Sequence, residues 1–169
     1  LTPSTYSVFN TLDSGAGSLR QAILDANGTP GTDRIDFHIP GPGVHSITPG
    51  ASNGISTGLG DLPAVTDPAV IDGMSQLSLS GTPGIELNGT VGGDVNGLVI
   101  SAGGSTVRGL VINRFTGTLL NGNGILLLTN GGNTIAGNFI GTDATGTLDL
   151  GNQFDGVRTS SPGGNTIGG

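Results

Sequence analysis

Twelve acidic side chains, two histidines and five arginines carry whatever chemistry this 169-residue chain can offer. Ten of the acids (Asp33, Asp36, Asp61, Asp67, Asp72, Glu86, Asp94, Asp143, Asp149 and Asp155) lie beyond the segment that holds Asp13 and Asp25. A glycosidase needs two carboxyl groups about 5–5.5 Å or about 6.5–9.5 Å apart, according to mechanism. A polysaccharide lyase needs acidic oxygens around Ca²⁺ and a base to take a proton. These acids form no Asp-Asp pair and no Asn-x-Asp or Gly-His-Gly block. Most adjoin Gly, Pro or Thr, where a carboxylate bonds its own turn, so turn structure is their expected role. Arg108, which with Arg114 flanks the apolar run 110–112, is the residue to offer as a lyase base. Arginine keeps its proton to a pKa of about 12.5 or higher, and Ala136 stands at the matching place in the next repeat, so an ion pair or rim contact is expected instead. His38 and His45 straddle Pro40-Gly41-Pro42-Gly43 with no third His or Cys nearby, which argues against a metal. The expectation is no catalytic, metal or cofactor residue, with calcium left open.

The elements that position these groups are repetitive. Gly-Gly-Asn-Thr-Ile occurs at 131–135 and at 163–167, and a degenerate copy, Gly-Gly-Ser-Thr-Val, at 103–107, giving steps of 28 and 32 residues. Each copy follows a similar lead-in: Asn96-Gly97-Leu98-Val99-Ile100, Asn123-Gly124-Ile125-Leu126-Leu127, and Asp155-Gly156-Val157. Self-similarity at such a period marks a solenoid whose single unit cannot bury its apolar face alone. Short Ile/Leu/Val runs between Gly and Asn read as strands. The 34 glycines suit tight corners, and with 4% aromatics and no Trp the core must be built from aliphatic ladders.

The amino-terminal third differs. Residues 5–10 read as a strand. Residues 19–26 read as a helix, with Ser18 and Gln21 as a capping box, Leu19, Ala22, Ile23 and Ala26 on one face, and Gly28 past its end. Such a helix would cover the open end of a coil, where strand edges and core would otherwise meet water. Residues 34–39 and 44–47 read as strands, 48–61 as a long loop, and 64–72 and 84–87 as the first regular strands. The apolar runs 110–112 and 139–140 are further strands, and 141–151 reads as a projecting loop in which Leu148 and Leu150 could form a short strand. One domain results, 1–169, with a cap and irregular first rungs over 1–63 and regular rungs over 64–169.

The net charge of −7, with no Lys, excludes a cationic surface for nucleic acid or anionic membranes. The apolar stretch 125–128 is far short of the ~20 residues of a membrane span, and no leader is visible before Leu1, so a removed one is expected. Asn-Gly steps recur at Asn27, Asn53, Asn88, Asn96, Asn121, Asn123 and Asn130, and those at Asn27 and Asn88 also match the glycosylation sequon.

The string Asp13-Ser14-Gly15-Ala16-Gly17-Ser18-Leu19-Arg20-Gln21-Ala22-Ile23 resembles the signature of secreted bacterial and archaeal proteins named for Cys-Ser-Leu-Arg-Glu-Ala, with Gly17 and Gln21 in place of its Cys and Glu. Asp67-Pro68-Ala69-Val70-Ile71-Asp72-Gly73 and the run from Asn138 to Thr147 look like recurrent blocks of the same proteins. The resemblance implies an all-β, right-handed parallel β-helix of the pectate-lyase-like superfamily, exported to or beyond the cell surface. It implies no activity.

Within such a coil, Asn133 and Asn165, with Ser105 in the same register, are expected to stack as a side-chain ladder, and Gly104, Gly132 and Gly164 to make the corners. Thr142, Thr145 and Thr147 are the residues to weigh for an ice-binding array, but no Thr-x-Thr recurs at rung spacing. The sequence stops in mid-repeat without a polar cap, which fits either a fragment of a longer β-helix or a subunit that stacks head to tail; for stacking, the strand 5–10 (Thr5, Tyr6, Ser7, Val8, Phe9) and the last rung (Asn165, Thr166, Ile167) are the expected assembly surfaces. The expected function is an extracellular structural or surface module that forms filaments or mediates adhesion. Its expected partners are its own copies, cell-surface or extracellular-matrix components, or polysaccharide, with no nucleic acid and no membrane insertion. The alternative is a carbohydrate-binding or polysaccharide-cleaving β-helix, calcium-dependent in its lyase form.

Overall fold

The structure, a computed structural model, describes residues 2–52, 55–78, 80–118, 121–160 and 163–169. Its elements, in chain order, are β1 (Thr5–Val8), α1 (Leu19–Asn27), β2 (Asp33–Phe37), β3 (His45–Ile47), β4 (Ala51–Ser52), β5 (Ile55–Ser56), β6 (Ala69–Asp72), β7 (Ile85–Asn88), β8 (Leu98–Ile100), β9 (Thr106–Arg108), β10 (Leu110–Asn113), β11 (Ile125–Leu127), β12 (Thr134–Ala136), β13 (Phe139–Ile140), β14 (Val157–Thr159) and β15 (Thr166–Ile167), with a short 3₁₀ turn at Gly73–Ser75. The protein is predominantly β and its main sheets are parallel. Among the described residues no helix is long and apolar enough to cross a membrane.

Three parallel sheets hold the strands in the orders β1-β2-β6-β9-β12-β15, β13-β10-β7-β3 and β14-β11-β8. From β8 onward the chain visits them in one fixed order, β8-β9-β10, then β11-β12-β13, then β14-β15. The register reproduces the sequence repeat: Thr106 pairs with Thr134 and Thr134 with Thr166. Alternation along β2 shows why these strands form. Asp33, Ile35 and Phe37 are buried, while Arg34 and Asp36 face outward. Across the passes Ile35, Ile71, Val107 and Ile135 align into one inward column that Ile167 continues by register at the exposed edge strand, and the first three are 0–1% exposed. Burial of each such side chain contributes about 1.5–3 kcal/mol before entropy is counted.

Glycine is obligatory where passes touch. A Cβ on Gly97 would sit 2.3 Å from the Gly124 carbonyl oxygen, and one on Gly124 would sit 2.6 Å from that of Gly156. The predicted corners Gly104, Gly132 and Gly164 all take left-handed φ, at 72°, 78° and 89°.

The helix buries Leu19, Ala22, Ile23 and Ala26 against the core beside β1 and β2. The Ser18 hydroxyl accepts from the Gln21 N–H at 3.2 Å, but the reciprocal half of the capping box is not made. The Ser18 N–H already bonds the Gly15 carbonyl, and the Gln21 amide turns to Asp25 at 2.8 Å. The segment 48–61, expected as loop, contains the antiparallel pair β4–β5. The 141–151 segment is a loop closed on itself: Thr142 and Asp149 form an antiparallel bridge, and Gly141 and Leu150 bond through the backbone.

Candidate functional site

The polar residues that the fold draws together lie in columns running across the passes. One stands at the corner before the six-stranded sheet. By register it comprises Ser4, Asp33, Ala69, Ser105, Asn133 and Asn165. Each side chain that can accept takes the backbone N–H of the pass before it: Asp33 from Ser4 at 2.7 Å, Ser105 from Ala69 at 3.2 Å, Asn133 from Ser105 at 2.9 Å and Asn165 from Asn133 at 3.0 Å. The Asn133 amide also donates to the Asn165 side chain and to the Asn130 carbonyl, both at 3.0 Å. The bonds run mainly from backbone to side chain rather than from amide to amide, because a strand end leaves an N–H that the next pass must satisfy. Ala69 has no acceptor, and there the Asp33 N–H goes to the Pro68 carbonyl. The second carboxylate oxygen of Asp33 is buried without a partner.

A second column, Asp61, Asn96, Asn123 and Asp155, stands before the three-stranded sheet and runs in the opposite sense. Asp61 accepts from the Asn96 N–H at 2.7 Å, Asn96 from Asn123 at 3.1 Å and Asn123 from Asp155 at 3.3 Å. Burial pushes the Asp61 carboxyl up, against the pull of its Asn96 bond. Sequence reasoning missed this column, although the aligned lead-ins Asn96-Gly97, Asn123-Gly124 and Asp155-Gly156 carry its signal.

On the outer face of the six-stranded sheet, Asp36, Asp72 and Arg108 are register partners on β2, β6 and β9. Arg108 grips Asp72 at two points, Arg34 reaches the same carboxylate while lying 2.7 Å from Asp36, and the Met74 N–H donates to it at 3.0 Å. Burial opposes ionisation of Asp72, but the two guanidiniums outweigh it and hold the carboxyl below the usual range. Arg108 is raised, first through its bond to Asp72, so it is an ion-pair partner and not a base. Arg114, at φ 59°, lies 3.4 Å from Glu86, which also accepts from Asn113 at 2.9 Å.

A latch ties α1 to the segment 50–61. Asp13, 1% exposed, accepts from the Arg20 guanidinium at 2.8 Å, from the Gly50 N–H at 3.1 Å and from the Thr57 hydroxyl. Arg20 donates besides to the carbonyls of Asp13, Gly60 and Asp61. The Asp, Ser, Leu and Arg of the signature-like string are thus the groups that seat α1.

The remaining candidates stay apart. Among the described residues no three His, Cys, Asp or Glu side chains gather as metal ligands. His45 contacts the Gly41 carbonyl, and His38 lies 6.2 Å from the Phe9 ring. Thr145 and Thr147 bond each other and serve Asp143, whose carboxyl falls to about 2, first through the Thr145 hydroxyl and then through the Leu148 N–H. Thr5, Tyr6, Ser7 and Val8 form an outer strand of the six-stranded sheet and Thr166 and Ile167 the strand at its opposite edge, with Phe9 and Ile167 both more than half exposed. Chemically the arrangement holds passes together: the Asp33, Asp61 and Asp72 carboxylates each accept hydrogen bonds from another pass. Comparison with family models, curated proteins and solved structures finds no match.

Proposed function

We propose that the chain is a structural β-solenoid module: one right-handed parallel β-helix domain, displayed outside the cell, that joins its neighbours through strand edges rather than through catalysis. The observation that carries this reading is the repeated order of the sheets. It makes β13, β14 and β15 the outer strands of all three parallel sheets at the same end. Outer strands are templates for further pairing, with more of the same β-helix or with a second copy, and with a second copy a heterologous contact that does not close generates a filament. The register supports the same contact. Thr5 of a second copy set opposite Thr166 would continue the register by which Thr134 pairs with Thr166. The resemblance to secreted β-helix proteins supports the extracellular location, and a net charge of −7 suits a soluble surface element.

Negative-stain electron microscopy near neutral pH, with and without millimolar calcium, tests the proposal. Regular fibres whose axial repeat matches one copy of the coil are expected. Compact monomers under both conditions would sink self-assembly. Adhesion to matrix components and the carbohydrate-cleaving alternative would then be decided by a polysaccharide binding and cleavage screen.

A further inference from the structure

We propose that Asn130–Gly131 is a spontaneous modification site, the one Asn-Gly step among the described residues that the fold leaves open to cyclisation. In this chemistry the glycine amide nitrogen loses its proton to solvent base and attacks the asparagine Cγ. The N–Cγ bond forms, the Cγ–Nδ2 bond breaks, and ammonia leaves. Water then opens the succinimide at either carbonyl, giving an aspartyl or isoaspartyl residue. No enzyme, oxidant or cofactor is needed. The step requires a glycine nitrogen released from hydrogen bonding and a side chain able to swing onto it.

The fold denies one or both conditions at five of the described steps. Gly28 donates its N–H to the Leu24 and Asp25 carbonyls, Gly89 to Asn113, Gly97 to Asn123, Gly122 to Val95 and Gly124 to Asp155. Their asparagine side chains are also occupied. Asn27 bonds Ala64 and Thr66, Asn96 and Asn123 bond each other while 0–2% exposed, Asn121 bonds Asp94 and Asn96, and Asn88 bonds Thr90. The step Asn53-Gly54 lies outside the described residues.

Asn130 differs at its glycine and in its exposure. It is exposed in the loop before β12, and the Gly131 N–H donates to no group among the described residues. The remaining bonds at the step use acceptors: the Gly131 carbonyl takes the Gly104 N–H at 3.2 Å and the Asn130 carbonyl takes the Asn133 amide. One bond restrains the reacting side chain, from Asn130 Nδ2 to the Ser101 carbonyl at 2.8 Å. Conversion would replace that donor by a carboxylate facing a carbonyl oxygen. The isoaspartyl form also adds a backbone carbon three residues before the Asn133 corner, so the junction between the β8–β9 and β11–β12 passes loosens.

Peptide mapping by mass spectrometry, with an isoaspartyl-specific assay, after incubation at mildly alkaline pH tests this. In the folded chain Asn130 should convert at least about tenfold faster than Asn27, Asn88, Asn96, Asn121 or Asn123, a ratio matched by ~1.4 kcal/mol of local opening. In urea that gap should close, and the converted folded species should show a lower Tm. Equal folded-state rates at Asn130 and buried Asn123 would overturn the proposal. So would an Asn130 that stays intact in the folded chain while the denatured chain converts.

Discussion

Asp72 and Arg108 stand opposite each other on β6 and β9, and the guanidinium holds the carboxylate at two points, Nε to Oδ1 at 2.9 Å and Nη2 to Oδ2 at 2.6 Å. The carboxylate is 2% exposed and the guanidinium 46%, so the anion is the buried partner and its neutralisation matters most. Asp72→Asn should cost on the order of 2–3 kcal/mol, because it strands Arg34 and Arg108 side by side and removes a charged acceptor. Arg108→Ala should cost less, about 1 kcal/mol, since Arg34 and the Met74 N–H still serve Asp72. Urea unfolding of the two variants would show this order, and a larger loss for Arg108→Ala would contradict it.

The same carboxylate fixes an acid limb. Its folded-state pKa lies below the unfolded value of about 3.9. Its stabilisation is therefore complete above that value and is lost as the pH falls through the folded pKa. Asp61 has the opposite sign: its carboxyl is raised by burial, so protonation there favours the folded state as the pH drops through its raised value. Stability measured against pH should fall below about pH 4 in the parent chain. Asp72→Asn should flatten that fall, and Asp61→Asn should steepen it.

The cap latch predicts a larger effect. Arg20→Ala leaves the Asp13 carboxylate buried with one charged partner gone and frees three carbonyls, of Asp13, Gly60 and Asp61. A loss of about 3–5 kcal/mol is expected. Arg20→Lys should recover little, since an ammonium cannot reproduce the fork that reaches four oxygens. Thermal unfolding followed by circular dichroism would read both, and near-full rescue by Lys would refute the geometric argument.

The repeat at Gly103, Gly131 and Gly163 was legible because pass-to-pass register preserves sequence spacing, and Thr106, Thr134 and Thr166 pair accordingly. The helix was legible for a local reason: its four apolar residues and Ser18 suffice to place and start it. The latch between Asp13 and Arg20 was not, since it closes onto Gly50, Thr57 and Gly60 through loops without periodicity. Nor was the sense of hydrogen bonding in the two columns. Register can be read from spacing, but which pass supplies the N–H depends on how each corner turns.

That sense makes Asn133 a discriminating position. Its side-chain oxygen serves the Ser105 N–H, and its amide serves Asn165 and Asn130. Asn133→Ala leaves a buried N–H without an acceptor and should cost about 1–3 kcal/mol. Asn133→Ser restores an acceptor of the kind Ser105 offers to Ala69 and should recover part of the loss. Hydrogen exchange at the Ser105 amide gives the specific readout: faster exchange in the Ala variant, slower again in the Ser variant. An unchanged rate in both would remove the column from the energetics of the fold.

Asp33 occupies the same column with a carboxylate in place of an amide. One of its oxygens accepts from Ser4, and the other is buried without a partner. An unpartnered buried oxygen costs roughly 1–3 kcal/mol, more when charged. Asp33→Asn keeps the acceptor for Ser4 and turns the orphan oxygen into a donor. In Asn133 the corresponding amide finds the carbonyl three residues back, that of Asn130; the residue at that offset from Asp33 is Pro30, which also carries a carbonyl. The substitution should therefore raise stability by about 1 kcal/mol and shift the midpoint of urea unfolding upward without changing its slope. A lowered midpoint would mean that the second oxygen has a partner, an ordered water or a cation, that the substitution removes.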